Sequence, residues 1–215
     1  PAAVVVKHMN PCGAASHSDG ISKAFTLALS ADPVSAYGGI LAFNRELGPE
    51  DVRTVFRART FFEVIAAPGF TEEAKEILAK RAKLRVLELP EDWAATKPST
   101  TDARRVQGGW LLQDWDLGAD FEWTVATDRS PNEAESDALR FAWAACRNVK
   151  SNAIVLARAE DGGFVLNGVG AGQMSRVDSV RISIEKATRD VAGSVLASDA
   201  FFPFPDGVEA AAAAG

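Results

Sequence analysis

A strand and a helix follow one another in the stretch Gly39-Ile-Leu-Ala-Phe-Asn-Arg-Glu-Leu-Gly-Pro-Glu-Asp51. Its first five residues are glycine and apolar residues, which is typical of a buried strand. Proline at the first helical position and two acidic residues in the first turn then open a helix. Residues 61–66 are again strand-like, Thr71 begins another helix, and residues 84–89 are extended. Strands and helices in strict alternation predict a largely parallel sheet with helices packed on it.

The residues before this unit predict one more strand and one more helix. Residues 4–6 are β-branched valines, which favour a strand, and the turn signal Asn10-Pro11 is expected to stop it. Apolar residues then recur at helical spacing after Ser18 or Asp19, either of which would cap the helix. Asp32-Pro33 is expected to close it, because the residue before a proline avoids the helical region.

The second half of the chain predicts antiparallel pairing as well. Residues 90–109 lose the periodicity and collect Pro, Thr, Ser, Lys and Asp. We therefore place a boundary between two lobes there, with residues 1–95 in the first and residues 96–215 in the second. Glycines in Glu160-Asp-Gly-Gly163 predict a hairpin rather than a crossover. The expected fold class is α/β, with two α/β lobes whose mixed sheets are flanked by helices.

Further elements are expected in the second lobe. Residues 111–112 and 123–126 are candidate strands. A capping box, Ser130-Pro-Asn-Glu133, is predicted to open a long helix. After the glycines at 168, 170 and 172, apolar residues at steps of three and four predict another helix that runs to about Val191.

Composition and charge exclude several classes of protein. The 215 residues are 47% hydrophobic, which is enough for a core, and no apolar run approaches the roughly 18 residues needed to cross a bilayer. The net charge of -6 argues against general nucleic-acid binding, which relies on clustered Lys and Arg. Cys12 and Cys146 are expected to be reduced thiols in a cytoplasmic protein. The chain lacks an initiating Met, and we expect it to be part of a longer polypeptide.

Lys7 and His8 are the first candidates for chemistry, at the carboxyl end of the first predicted strand. Ligands bind at that edge of open α/β sheets. A neutral imidazole can accept a proton near neutral pH, and the adjacent ammonium group disfavours the charged imidazolium. Both side chains reach one site only if the strand has ended by Lys7. The alternative is that the two residues merely keep a sheet edge soluble.

A glycine-rich loop, Gly168-Val-Gly-Ala-Gly-Gln-Met-Ser-Arg176, is the second candidate. Glycines let a backbone approach a ligand closely, open amides at a helix start favour an anion, and Arg176 adds a fork of donors. The spacing departs from the dinucleotide-binding fingerprint, and a predicted hairpin precedes the loop. A tight turn that packs a helix against a sheet explains the glycines equally well.

Two further segments offer polar and aromatic side chains. Asn152 can donate to and accept from a carboxamide, or it can simply cap a helix end. The run Asp199-Ala-Phe-Phe-Pro-Phe-Pro-Asp206 is interrupted by prolines, so a loop is expected. Its three phenylalanines would either plug the core or surround a flat ligand. No metal is expected, because Pro11-Cys12 lacks the second nearby thiol of a zinc deaminase site.

Five motifs stand in a fixed order along the chain: Lys7-His-Met-Asn-Pro-Cys-Gly13, Asp32-Pro-Val-Ser-Ala-Tyr-Gly-Gly39, Val149-Lys-Ser-Asn-Ala-Ile154, Gly168-Val-Gly-Ala-Gly-Gln-Met-Ser-Arg176 and Ala197-Ser-Asp-Ala-Phe-Phe-Pro-Phe204. Together they closely resemble the AICAR transformylase part of the bifunctional AICAR transformylase/IMP cyclohydrolase family. The resemblance runs from Lys7 to Gly215. It implies two lobes similar in fold to cytidine deaminase, but without zinc.

The resemblance also implies a reaction. A formyl group would pass from 10-formyltetrahydrofolate to the exocyclic amine of 5-aminoimidazole-4-carboxamide ribonucleotide (AICAR), in de novo purine (IMP) biosynthesis. His8 would assist removal of the amine proton, Lys7 would stabilise the oxyanion or protonate the folate nitrogen, and Asn152 would orient the carboxamide. The folate is a co-substrate, and a monovalent cation near Asp199 is a further expectation. The resemblance implies a homodimer with shared active sites, and neither nucleic acid nor membrane is expected as a partner.

The substrate-lining residues implied by the resemblance are Arg176, Tyr37, Gly38, Gly170, Gly172, Gln173, Ser175, Phe201, Pro203, Phe204 and Asp206. The sequence departs from the family pattern at Pro205 and at Trp115, where similar sequences usually have Arg. Both departures bear on folate affinity or on interface packing.

Two other functions stay open at this point. An oxidoreductase would bind a nicotinamide cofactor at the glycine-rich loop and show quenched tryptophan emission. A noncatalytic relative or an inactive fragment would dimerise without binding the ribonucleotide.

Overall fold

The computed structural model describes residues 1–90, 93, 101–116 and 122–215. Within these ranges lie ten strands and six helices. The strands are β1 (Ala2–Lys7), β2 (Asn10–His17), β3 (Gly39–Phe43), β4 (Phe62–Ala67), β5 (Arg85–Glu88), β6 (Asp102–Val106), β7 (Gly109–Gln113), β8 (Ile154–Glu160), β9 (Gly163–Gly170) and β10 (Val195–Ser198). The helices are α1 (Ile21–Ala31), α2 (Pro49–Arg57), α3 (Glu72–Leu78), α4 (Glu133–Cys146), α5 (Arg176–Glu185) and α6 (Asp206–Ala213).

Eight strands form one mixed sheet in the order β10-β8-β9-β2-β1-β3-β4-β5. The pairs β3-β4 and β4-β5 are parallel, as the alternation of strands and helices predicts. Strands β1, β2, β8, β9 and β10 pair antiparallel with their neighbours. The α/β class with a mixed sheet flanked by helices is thus confirmed, whereas a largely parallel first half is wrong.

The strand β2 is the main element that the sequence did not predict. Asn10-Pro11 was expected to end the first strand and to lie in a turn. Instead, only His8 and Met9 form the turn, and β2 begins at Asn10. The register of β1 and β2 shifts between Val5 and Val6, so that Val5 faces Gly13 and Val6 faces Pro11. A bulge tolerates proline because the missing N–H is not needed there.

Other boundaries differ by a few residues. Helix α1 follows Gly20 without a side-chain cap, so Ser18 and Asp19 are not the cap. The capping box of α4 is formed by Asn132 and Glu135, two residues after the predicted box. Residues 123–126 are not a strand. Helix α5 ends at Glu185 rather than near residue 191, and β6, β10 and α6 were not predicted.

Contacts divide the chain into a unit of Pro1–Leu89 with Pro131–Gly215 and a second unit of Pro90–Ser130. This division differs from the predicted lobes of residues 1–95 and 96–215, because β8, β9 and β10 join the same sheet as β1–β5. The second unit contains the antiparallel hairpin of β6 and β7, so residues 111–112 do lie in a strand.

Two buried clusters form the core of the larger unit. One lies between the sheet and helices α1, α2 and α3, and it contains Phe25, Leu41 and Ile65. The other lies beneath α4 and contains Cys146 and Leu166. No described helix has the length and apolar character that crossing a membrane requires.

Candidate active site

Arg176 is the centre of a polar cluster at the start of α5. Its Nη1 donates to the Asp199 carboxylate at 2.6 Å and to Ser198 Oγ at 2.8 Å, and its Nη2 donates to Asn152 Oδ1 at 2.6 Å. The Arg176 side chain is only 10% exposed and that of Asp199 19%. Three donor hydrogens are therefore used within the protein, and Nε with one hydrogen of Nη2 is left for a ligand.

Asn152 is held on both sides of its amide. Nδ2 donates to the carbonyls of Gln173 at 2.9 Å and Met174 at 3.1 Å, while Oδ1 accepts from Arg176. The backbone N–H of Asn152 donates to the Gln173 carbonyl as well. Both amide hydrogens are thus taken, so Asn152 can offer a substrate only a remaining lone pair on Oδ1. Its main observed role is to fix the glycine-rich loop.

The glycines of this loop allow close packing of β9 against α5. A Cβ atom at Gly168 would lie 1.9 Å from the Ser183 carbonyl oxygen, and one at Gly170 1.9 Å from that of Ser179. Gly172 has a φ of +70°, and its N–H donates to the Lys150 carbonyl at 2.7 Å. Strand β9 can therefore touch the backbone of α5 only because these positions lack side chains.

Open amides are found at the start of α5 instead. Ser175 precedes this helix and makes no side-chain capping hydrogen bond. The first N–H groups of a helix have no partner within it, and they favour a nearby anion. Among the predicted loop residues, Ser175 and Arg176 therefore lie beside backbone N–H groups that are open to an anion, whereas Gly170 and Gly172 contact the protein itself.

Lys7 and His8 lie at the turn between β1 and β2. Strand β1 ends at Lys7, as the predicted site requires. Lys7 Nζ donates to the Tyr37 carbonyl at 2.6 Å, and a Cβ at Gly38 would come within 3.1 Å of that nitrogen. Lys7, Tyr37 and Gly38 are therefore brought together. His8 is exposed, with a φ of 55° that only a few residue types adopt readily.

One hydrogen bond joins this turn to the Asn152 region. The backbone N–H of Lys150 donates to Asn10 Oδ1 at 2.9 Å. Asn10 lies two residues after His8, and Lys150 lies two residues before Asn152. Asn10 was predicted only as a turn residue, and its place in the motif that begins at Lys7 was the one available signal. The two segments thus meet within a single chain.

The aromatic loop between β10 and α6 leaves much of its apolar surface outside. Phe201 is 80% exposed and Phe204 69%, whereas Phe202 is partly buried and its ring would meet a Cβ at Gly207. Phe201 and Phe204 do not plug the core, which was one of the two predicted outcomes. Pro203 is exposed as well, and Asp206 is the first residue of α6.

Asp199 links three segments through its carboxylate. It accepts hydrogen bonds from Arg176, from Ser151 Oγ and from the N–H of Ala153, the last at 2.9 Å. Partial burial acts to raise its pKa, but the hydrogen bonds from Arg176 and Ser151 outweigh burial, so the pKa lies below its ordinary value of 3.8. The family resemblance led us to expect a cation near Asp199, but the pairing of Asp199 with Arg176 was not predicted.

This pKa predicts a pH-dependent contribution to stability. Because the pKa is lower in the folded state than in the unfolded chain, ionised Asp199 stabilises the fold above pH 3.8, and this contribution is lost as pH falls through the folded pKa. The gap in free energy of unfolding between the wild type and Asp199→Asn should be constant near neutral pH and shrink below pH 3.8. Urea unfolding at several pH values measures it.

Ser198→Ala is the matched control, because it removes another partner of Arg176 without removing a titrating group. Its gap from the wild type should not change over the same pH range. A gap for Asp199→Asn that stays constant down to the acid unfolding of the protein would contradict the lowered pKa.

The two cysteines are poorly suited to nucleophilic chemistry. Burial is the main cause that raises the pKa of Cys12 to about 11, with the charge of Asp32 as a second cause. Burial, followed by the charge of Asp199, raises the pKa of Cys146 to about 11. The thiolate is the reactive form, so its scarcity at neutral pH argues against a catalytic cysteine.

Both thiols are therefore expected to react slowly while the protein is folded. A pKa of about 11 in place of 9.0 lowers the thiolate fraction at pH 8 by about 100-fold. Reaction with a disulfide reagent, followed by absorbance, should be slower by about that factor in buffer than in urea. Equal rates in both solvents would show that the thiols are not shielded.

Comparisons with known proteins agree with one another. A family model described as AICARFT/IMPCHase bienzyme matches residues 1–186. The chain is 49% identical to the bifunctional purine biosynthesis protein PurH of Magnetococcus marinus, over 100% of this chain and 42% of that protein. It is 48% identical to the PurH of Halalkalibacterium halodurans, over 100% of this chain and 41% of that protein. The chain thus spans less than half the length of these relatives.

Proposed function

The chain belongs to the AICARFT/IMPCHase family of bifunctional purine-biosynthesis proteins, and on that premise we propose that it carries the formyl-transfer activity rather than the cyclohydrolase activity. The formyl group of 10-formyltetrahydrofolate passes to the exocyclic amine of AICAR, and tetrahydrofolate leaves. One observation supports this above all: the Asn10–Lys150 hydrogen bond brings the turn that carries Lys7 and His8 to the segment that carries Asn152.

The amine of AICAR is a weak nucleophile, because its lone pair is delocalised toward the carboxamide. A C–N bond forms between this amine and the formyl carbon, and the bond from that carbon to the folate N10 breaks. His8 takes the proton that the amine loses, since its exposed ring has no hydrogen-bond partner among the described residues. The leaving N10 gains a proton in turn, so the step is balanced.

Lys7 is assigned the role of supplying positive charge to the reacting group. Its Nζ uses one hydrogen on the Tyr37 carbonyl and keeps two. These hydrogens can stabilise the oxyanion of the tetrahedral intermediate or pass a proton to N10. The contact with Tyr37 and the left-handed Gly38 hold the ammonium group in one position before substrate arrives.

The substrates are assigned to two sides of the cluster. Arg176 and the open amides after Ser175 suit the anionic ribonucleotide, and Asn152 Oδ1 can accept from its carboxamide. The remaining loop positions on this side are Gly170, Gly172 and Gln173. On the folate side, the exposed rings of Tyr37, Phe201 and Phe204, with Pro203 and Asp206, are assigned to the flat pteridine.

A homodimer with shared active sites, located in the cytoplasm, belongs to the same proposal. Exposed apolar side chains near the site, such as Tyr37 and Phe201, are suited to being covered by a substrate or by a second subunit. The expected monovalent cation near Asp199 fits less well. The Asp199 carboxylate already accepts from Arg176, Ser151 and Ala153, and the guanidinium repels a second cation. No step of the reaction runs through such an ion.

The test is a formyl-transfer assay on the full-length polypeptide. Release of tetrahydrofolate should require AICAR, and the formamido product should appear in equal amount. Omitting the ribonucleotide gives the background rate. A polypeptide that binds neither substrate while it remains dimeric would instead be the noncatalytic relative.

A further inference from the structure

A cavity of about 450 Å³ lies between the end of α2, the start of β4 and the loop from α3 to β5. Apolar side chains, among them Leu41, Phe62 and Ile65, form its walls, and all three are buried core residues. Its volume is within the range of small-molecule sites, roughly 300 to 1,000 Å³. None of the residues assigned to formyl transfer lines this cavity.

The polar lining is strongly cationic. Four of the residues around the cavity are positively charged: Arg59, Lys80, Arg81 and Lys83. No carboxylate lines the cavity, although the whole chain has a net charge of -6. Arg59, Lys80 and Lys83 make no ion pair with any residue in the described ranges, and the Arg81 guanidinium lies 4.6 Å from the centre of the Phe56 ring. Four like charges around one opening repel each other unless an anion binds between them.

Helix capping explains only part of this arrangement. Arg59, Lys80 and Arg81 follow the last turns of α2 and α3, where cations interact favourably with the helix dipole. Lys83 lies beyond that range, five residues after the end of α3. Capping also requires no cavity, whereas here an apolar cavity of ligand size opens between the cations.

We propose that this cavity binds a small organic anion with an apolar body, such as an aryl or acyl carboxylate or phosphate. The apolar walls bury the body, and the cations hold the charged group at the mouth. Inorganic phosphate would leave the apolar walls in contact with water, and an uncharged hydrocarbon would leave the cations unpaired. Phe61 also lines the cavity and contacts the Tyr37 ring, with centroids 5.7 Å apart, so test variants avoid Phe61.

The test uses 8-anilinonaphthalene-1-sulfonate, a fluorescent aryl sulfonate, with the full-length polypeptide in the absence of AICAR and folate. Benzoate and phenyl phosphate should both displace the probe, and the one that displaces it at the lower concentration identifies the charged group that the cavity prefers. Lys83→Glu should weaken probe binding by about tenfold, because it reverses one charge at the mouth. Lys23→Glu, which makes the same charge change on the exposed face of α1, should leave binding within about twofold.

Several results would overturn the proposal. Equal probe binding by Lys83→Glu and the wild type would show that the cations play no part. Displacement by benzyl alcohol as strong as by benzoate would show that the ligand needs no negative charge. Displacement by inorganic phosphate as strong as by phenyl phosphate would show that it needs no apolar body. A change in sedimentation of Lys83→Glu without a change in probe binding would assign the surface to contact between copies. If Lys83→Glu fails to fold, Lys83→Gln should still weaken binding, and binding at wild-type strength would count against the site.

Discussion

Replacing His8 by asparagine is expected to lower the turnover number of formyl transfer by about 10² to 10⁴-fold, the usual contribution of a general base. Asparagine is the informative substitution because His8 has a φ of 55°. Asparagine tolerates this left-handed conformation, whereas alanine would add about 1 kcal/mol or more of backbone strain. The fold should therefore be unchanged in the asparagine variant, and the loss of turnover can be assigned to the missing imidazole.

Met9→Ala is the matched control for this variant. Met9 is the other residue of the same turn and is 67% exposed, so its truncation should leave both turnover and stability close to the wild type. Steady-state kinetics on the full-length polypeptide, with circular dichroism to verify the fold, compare the variants. A turnover number for His8→Asn within threefold of the wild type would remove His8 from the proton transfer.

The sequence predicted β3, β4 and β5, which alternate with helices, but it missed β2, which follows a tight turn, and β10, which lies between α5 and α6. Strands β3, β4 and β5 each have an apolar run bounded by a helix signal, and their parallel pairing is as expected. Strand β2 was hidden because Pro11 was taken as a terminator. A proline ends a strand only where its N–H would be needed, and at a bulge it is not. Whether a bulge forms depends on the partner strand, which local sequence does not show.

Asn152 and Arg176 were predicted as site residues, but the pairing of the polar cluster was not predicted. Arg176 and Asp199 are 23 residues apart, and no helical or strand period relates them. Only the order of the motifs, through the family resemblance, suggested that they belong to one site. The structure adds that Arg176 donates both to Asp199 and to Asn152. Preorganisation of this kind depends on how β10 and α5 approach the strand β8, which is a property of the whole fold.

Gly170→Ala is expected to lower the free energy of unfolding by about 3 kcal/mol or more, the upper range for overpacking a tight contact. The added Cβ would lie 1.9 Å from the Ser179 carbonyl oxygen and 2.7 Å from its carbonyl carbon, so α5 must move away from β9. This movement also disturbs the site, since Ser179 Oγ donates to the Asn152 carbonyl at 2.8 Å and Arg176 opens the same helix. Formyl transfer should fall together with stability.

Gly109→Ala separates this steric effect from the general effect of replacing glycine. Gly109 lies in β7, and a Cβ there meets nothing within 4 Å, so its alanine variant should differ from the wild type by less than about 1 kcal/mol. Gly168→Ala, with 1.9 Å to the Ser183 carbonyl oxygen, should resemble Gly170→Ala. Urea unfolding of the three variants decides the matter. If Gly170→Ala were as stable as Gly109→Ala, the glycines of this loop would not be needed for packing. The alternative, that the loop glycines contact an anionic ligand directly, would then be favoured.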